Sequence, residues 1–321
     1  AKDQEYMSDG IAEELLNLLA QVPNLKVIAS TSSFAFKGQN IEIAEIAKKL
    51  NVAHVLEGSV RKSSDKLRIT AQLVRAADST QLWSQNYDRS MEDVFAVQDE
   101  IANAIVQALQ IKLAGGTLNR REGGTQNLEA YQLYLRAVTA NYLNTKASLD
   151  AAVNYAEQAI KIDPNYGRAW SALAWIIAGQ TDDGFLPAKE GYERARQMTL
   201  HALQLSAGLA EAHALLSYIY QPLDWNWAGA EAELQLALAI DPTDPLVLQS
   251  AGILSMAFGH WDEAERQLRA ALVRDPLNPW TRINLGNAYY LAGRFTEAEE
   301  TYRELLERQP DFSDRKSTRL N

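Results

Sequence analysis

Four histidines, His54, His201, His213 and His260, are the side chains best suited to move protons near neutral pH or to ligate a metal. None belongs to an H-E-x-x-H pair, and the chain has no Cys to complete a mixed zinc set. Each reads as a surface or packed imidazole. Gly58 to Ser64, GSVRKSS, superficially resembles a phosphate loop but lacks the second glycine and the Lys-Ser spacing. Gly58-Ser59 suits a strand bulge or a close backbone approach instead. Glu13-Glu14 and Glu299-Glu300 are helical neighbours that face different sides, so neither pair can act as acid and base together. G-x-S-x-G and G-x-G-x-x-G are both absent. The expectation is a stretch of chain with no catalytic, metal or cofactor site.

Composition narrows the remaining classes. A chain of 321 residues suggests two domains at about 150 residues each. Lys and Arg number 31 against 41 Asp and Glu, a net charge of −10. That balance argues against a partner made of nucleic acid, which needs a basic surface. The longest nearly apolar run, Ala169 to Gly179, is shorter than the roughly 20 residues of a membrane span. Without Cys there are no disulfides and no thiol chemistry.

The second half repeats itself. Gly252, Gly259, Ala264, Leu268 and Pro276 recur 34 residues later as Gly286, Gly293, Ala298, Tyr302 and Pro310. Pro242 lies one period before Pro276. Asp163-Pro164 lies two periods and ten residues before Pro242, and Gly179 to Lys189 reads as the loop-like insert. Such a period implies stacked helical hairpins, because one hairpin cannot bury its own apolar face. Small residues bring the paired helices together, and Asp-Pro ends each second helix. Five copies are expected, at about 128–164, 166–207, 209–242, 244–276 and 278–310. Trp225 and Trp227 precede one second helix and read as core or hairpin-edge packing, with direct ligand contact as the alternative.

The period, Leu285-Gly286, Tyr289, Ala298, Tyr302 and Pro310 together resemble the tetratricopeptide repeat. The resemblance implies a solenoid whose first helices line a groove. Its inward positions are Arg168, Ser171 and Trp175, then Glu211 and Tyr218, then Gln249, Ile253 and Met256, and last Asn287 and Tyr290. This lining is aromatic, apolar and amide-bearing. With Arg168 its only base, it does not suit the carboxylate clamp some members use. A protein or peptide partner is expected, with self-association as a further possibility.

The first half reads as a small α/β domain with a mixed sheet. A helix runs from near Ser8 to Gln21, ended by Pro23-Asn24, and Leu25 to Ser30 reads as a buried strand. A second helix starts at Asn40. Three strands follow, at Val52–Lys62, Leu67–Arg75 and Thr80–Asp88, the middle one alternating Leu67, Ile69, Ala71 and Leu73 inward. Ser90 and Asp93 read as a capping box for a helix from Met91 to Leu113, with a stripe of Val94, Val97, Ile101, Ile105 and Ala108. Ala114 to Asn127, with two Gly-Gly pairs, reads as a linker.

EYMSDGIAEELLNLLA, LKVIASTSSF, HVLEGSVRKSSDKLRITAQLVRA and LWSQNYDRSMEDVFAVQDEIA resemble the TolB amino-terminal-like domain over residues 3–110. With the repeats behind it, the chain is similar to the C-terminal regions of bacterial class III adenylate or guanylate cyclases. It also resembles the C-terminal halves of membrane-bound winged-helix transcriptional regulators. The resemblance implies a sensory or scaffolding role beside an output domain, and leans toward a periplasmic location. In that family an apolar strand precedes the first helix. The expectation is therefore that residue 1 is an internal cut and that residues 1–113 are the less stable half. The end, Asp314 to Asn321, resembles translated adapter sequence, and the tail 311–321 is set aside.

Overall fold

The structure is a computed structural model, and it describes residues 5–22, 25–39, 41–63, 66–90, 93–109, 122–142 and 145–308. It has two compact units, Ala1–Arg121 and Glu122–Asn321. The expected breaks at Pro23-Asn24 and Asn40, most of the linker, Pro310 and the tail lie outside the described residues.

In the first unit, α1 (Glu5–Ala20), α2 (Ser30–Phe34) and α3 (Ile43–Leu50) precede β1 (His54–Ser63), β2 (Lys66–Arg75), β3 (Thr80–Ser90) and α4 (Val94–Ala108). The described strands form one antiparallel sheet in the order β1-β2-β3 rather than a mixed one. Leu67, Ile69, Ala71 and Leu73 are buried, as their alternation requires. Val74 is buried as well, beside a bulge in β3 where Leu73 pairs Trp83 and Val74 pairs Gln81. Val94, Val97, Ile101 and Ile105 of α4 join Ile11, Leu15 and Leu18 of α1 in the core. Gly58 is required where it stands: a Cβ there would lie 2.6 Å from the Thr70 carbonyl oxygen.

Two local readings are corrected. Leu25 to Ser30 is no strand; it runs irregularly and enters α2 at Ser30. Ile28 is buried, but among the described residues no strand pairs with this segment, and a strand exists only through its ladder. Ser90 is the last residue of β3 and not a helix cap. Its hydroxyl donates to the Asp93 carboxylate at 2.8 Å, and Asp93 itself stands at the N-cap of α4.

The described residues of the second unit form five antiparallel hairpins: α5 (Leu128–Tyr142) with α6 (Lys146–Ile162), α7 (Gly167–Asp182) with α8 (Ala188–Leu205), α9 (Ala210–Asp224) with α10 (Trp227–Ile240), α11 (Pro245–Ala257) with α12 (Trp261–Arg274), and α13 (Pro279–Leu291) with α14 (Phe295–Arg308). The insert differs from expectation. It lengthens both helices of the second hairpin, so only residues 183–187 separate α7 from α8. In α11 and α13, Asp244 and Asn278 cap two backbone N–H groups each, ahead of a proline at the first turn. Asp163, Asp241 and Asp275 end their helices in extended or near-extended backbone.

Small residues set the distance between paired helices. Ala152, Ala195, Ala230, Ala264 and Ala298 recur in the second helices, all buried. A Cβ on Gly252 would fall 2.5 Å from Leu268 Cγ, and one on Gly286 2.4 Å from Tyr302 Cε1. Neighbouring hairpins are clamped as well. Glu265 of α12 accepts from Arg269 at 2.8 Å, from the Tyr289 hydroxyl at 2.8 Å and from Arg294 at 2.6 Å. Burial works to raise the Glu265 carboxyl. The bonds from Arg294, Tyr289 and Arg269 outweigh that and hold it below its usual value.

Gly252→Val should lower the urea midpoint of the repeat unit by the equivalent of about 1–3 kcal/mol. Gly179→Ala, where a Cβ meets nothing within 4 Å, should raise it by about 0.5–1 kcal/mol. Circular dichroism reads both. Because the Glu265 carboxyl is depressed in the folded state, its contribution is present above the unfolded value near 4.5 and fades as pH falls. Glu265→Gln should cost about 1–2 kcal/mol at pH 7 and progressively less below pH 4.5. An equal cost at both pH values would contradict the clamp.

Candidate functional site

The first helices α5, α7, α9, α11 and α13 lie side by side, and side chains cross between them as rungs. Arg168 on α7 stands 5.4 Å over the Tyr134 ring of α5 and donates weakly to its hydroxyl. Trp175 Nε1 on α7 donates to the Glu211 carbonyl of α9 at 3.1 Å. The Tyr218 hydroxyl on α9 donates back to Asp182 on α7 at 2.9 Å. Gln249 on α11 accepts from the Thr281 hydroxyl of α13 at 2.6 Å.

These rungs involve several of the ten expected lining residues. Arg168 and Ser171 are 8% and 1% exposed, so they pack between helices and present little to a ligand. Trp175, Glu211, Tyr218, Gln249, Ile253 and Met256 are half-buried, and Met256 also packs against the core of the last two hairpins. Asn287 turns toward its own second helix and accepts from the Tyr302 hydroxyl at 2.7 Å. Tyr290 is 59% exposed, its ring 5.5 Å from that of Phe295.

The extra turn of α7 brings in residues that the sequence pattern leaves in a loop. Asp182 is seven positions after Trp175 and so continues its stripe. Its Oδ1 accepts from the Tyr218 hydroxyl and also, closely, from that of Tyr192 on α8. The two rings meet edge to face at 6.3 Å. Surrounding protein pushes the Asp182 carboxyl above its usual range, against the two hydroxyl bonds that lower it. Burial also drives both tyrosines well above theirs.

A second set of aromatics follows the 34-residue period along the hairpin turns. Trp227, Trp261 and Phe295 open the second helices of three successive hairpins. Gly259 and Gly293 hold left-handed backbone in the preceding turns, and Trp225 occupies the same position with φ +51°. A bulky residue there is strained, yet this indole is 72% exposed. Trp225 and Trp227 both sit at the hairpin edge, 6.1 Å apart. Trp227 also packs on Ala230, Leu234, Ala251 and Leu254.

The histidines are packed or at surfaces. His201 meets the Trp170 ring edge at 4.5 Å, and His260 stands at the N-cap of α12 beside Phe258. His213 bridges the Glu233 carboxylate at 2.6 Å and the Ala207 carbonyl at 3.0 Å. Among the described residues no group of three or more His, Cys, Asp or Glu could hold a metal. No described helix is long and apolar enough to cross a membrane.

Replacing Trp225 by Gly relieves the left-handed strain at the expense of one edge-to-face ring pair, so stability should change by no more than about 1 kcal/mol. Trp227→Ala removes a ring seated on the core and should cost about 2–3 kcal/mol. Thermal melts of the two variants would reverse this order if Trp225 were the structural member of the pair.

A protein of Rhizobium meliloti (strain 1021) named "Putative adenylate cyclase 3" is 40% identical over 176 residues, which cover 54% of this chain and 30% of the relative. The chain thus spans less than a third of that relative's length. Among solved structures, a thermophilic TPR protein of Thermus thermophilus is 21% identical at a TM-score of 0.48, covering 60% of this chain and 97% of that one. YrrB, described as a TPR protein with an unusual peptide-binding site, is 21% identical at a TM-score of 0.35, covering 58% of this chain and 91% of that one. Family models of the tetratricopeptide repeat match residues 131–166 and 255–318, at the first hairpin and across the last two. With five stacked hairpins between and around those matches, the second unit of this chain is a solenoid of tetratricopeptide repeats.

Proposed function

We propose that this chain is a non-catalytic scaffold that holds a peptide or protein segment along the first-helix face of its repeats. The repeats themselves mark it as a protein-interaction module. The observation that carries the finer reading is the lining. Trp175, Tyr218, Ile253 and Met256 are half-buried along successive first helices, and Tyr290 is openly exposed at the far end. Aromatic anchors with adaptable polar neighbours suit an extended or helical segment. The net charge of −10 speaks against a nucleic-acid partner.

The parent protein is, in this reading, a bacterial signalling protein in which this region regulates an output domain. The relative named as an adenylate cyclase supports a nucleotide cyclase as that output. The sequence resemblance of the first unit to the TolB amino-terminal-like domain supports the same setting and a periplasmic position. A winged-helix regulator is the competing parent.

A photo-crosslinking amino acid at position 253 or 290 would report on the inner face. One at position 299, on the outer helix α14, is the control. In bacterial lysate the inner positions should yield a shared adduct with another protein that the outer position does not. Adducts only with the chain itself would indicate self-association. Equal adducts at all three positions would remove the groove as the binding surface.

A further inference from the structure

We propose that Asp182, walled by Tyr192 and Tyr218, is a recognition site for the ammonium group of a lysine on the bound partner. The proposal deepens the groove reading and rests on it.

The site lies where α7 turns into α8, at the end of the stripe that Trp175 begins. Both tyrosine hydroxyls donate to the same carboxylate oxygen, Oδ1, and use its two lone pairs. No described group bonds Oδ2. Asp182 is exposed at the end of α7, so Oδ2 is open to a ligand. The surrounding protein still makes the ionised carboxyl unfavourable, and the neighbouring Asp183 charge adds to the cost. No described Lys or Arg pairs with it. Arg196, one helical turn beyond Tyr192, is already engaged with Asp224 at 2.7 Å.

A cation arriving at Oδ2 would offset both effects. The two rings, 6.3 Å apart at 71°, offer it a corner of π surface. The geometry also selects the kind of cation. A guanidinium fork binds best across two carboxylate oxygens, but here one is occupied. An ammonium needs a single oxygen and fits the one that remains. The chain's net charge of −10 favours approach by a basic segment.

The test is nuclear magnetic resonance of the full chain carrying 13C-labelled tyrosine. The probes are N-acetyl-lysine amide, N-acetyl-arginine amide and, as the neutral stem, N-acetyl-norleucine amide. The lysine probe should shift Tyr192 and Tyr218 saturably, the arginine probe severalfold more weakly, and the norleucine probe not at all. Asp182→Asn keeps an oxygen for the two hydroxyls and removes the charge, so it should weaken the lysine probe about tenfold or more. Tyr192→Leu, which removes one wall and leaves the charge, should weaken it severalfold and serves if the first variant unfolds. Absence of a saturable lysine shift, or an unchanged one in Asp182→Asn, would overturn the proposal. Equal binding of arginine would overturn the single-oxygen geometry. If crosslinks at positions 253 and 290 persist while lysine fails to titrate, the groove reading stands and the lysine site falls. If lysine titrates while the inner crosslinks fail, the ammonium pocket stands but its assignment to a groove-bound partner falls with the groove reading.

Discussion

A helical hairpin with one apolar face has nowhere to put it except against another hairpin. That constraint governs the second unit. It explains the small residues first of all, because Gly252 and Gly286 sit where any side chain would strike Leu268 or Tyr302. It explains the alanine series in the second helices and the chain-reversing caps that return each helix to the stack. Polar clamps such as Glu265 with Tyr289 and Arg294 then fix one hairpin against the next. Their bonds are satisfied on both sides, so they add register without leaving a buried charge alone.

The proposed groove follows from that stacking. First helices packed side by side must turn some side chains outward together, and the stacking period brings equivalent positions into line. Several of these side chains serve two purposes. Trp175 and Tyr218 bridge α7 to α9 while remaining half open, so the lining is held rigid by the bonds that join the repeats. A surface fixed in this way loses little freedom on binding. The extended α7 adds a carboxylate to it, and the two tyrosines hold that carboxylate by one oxygen.

The repeat half was legible in the sequence because its signal is periodic. The 34-residue spacing marks Gly252 and Gly286 with Ala264 and Ala298 in the last two hairpins, while the first two copies depart from it. The residues expected to face inward lie on α7, α9, α11 and α13, but their exposure was not legible. Arg168 is drawn onto Tyr134 and Asn287 onto Tyr302 by partners on other helices, which a single-helix pattern does not contain. Asp182 was hidden by Gly179, since a glycine near acidic residues reads as a loop while the structure continues the helix through it. The turn-edge position of Trp225 was readable in principle, 34 residues before Gly259. In the first unit, alternation located β2, but Leu25 to Ser30 shows the limit of such reading. Apolar β-branched residues specify burial, and only a neighbouring ladder makes them a strand.

The central claim is that binding is confined to the first-helix face of a stacked solenoid. Hydrogen–deuterium exchange of the chain, alone and with a bound protein partner, tests it most directly. The account predicts slowed exchange in α7, α9, α11 and α13, with α10, α12, α14 and the β1-β2-β3 sheet unchanged. Protection confined to those second helices or to the sheet would contradict it.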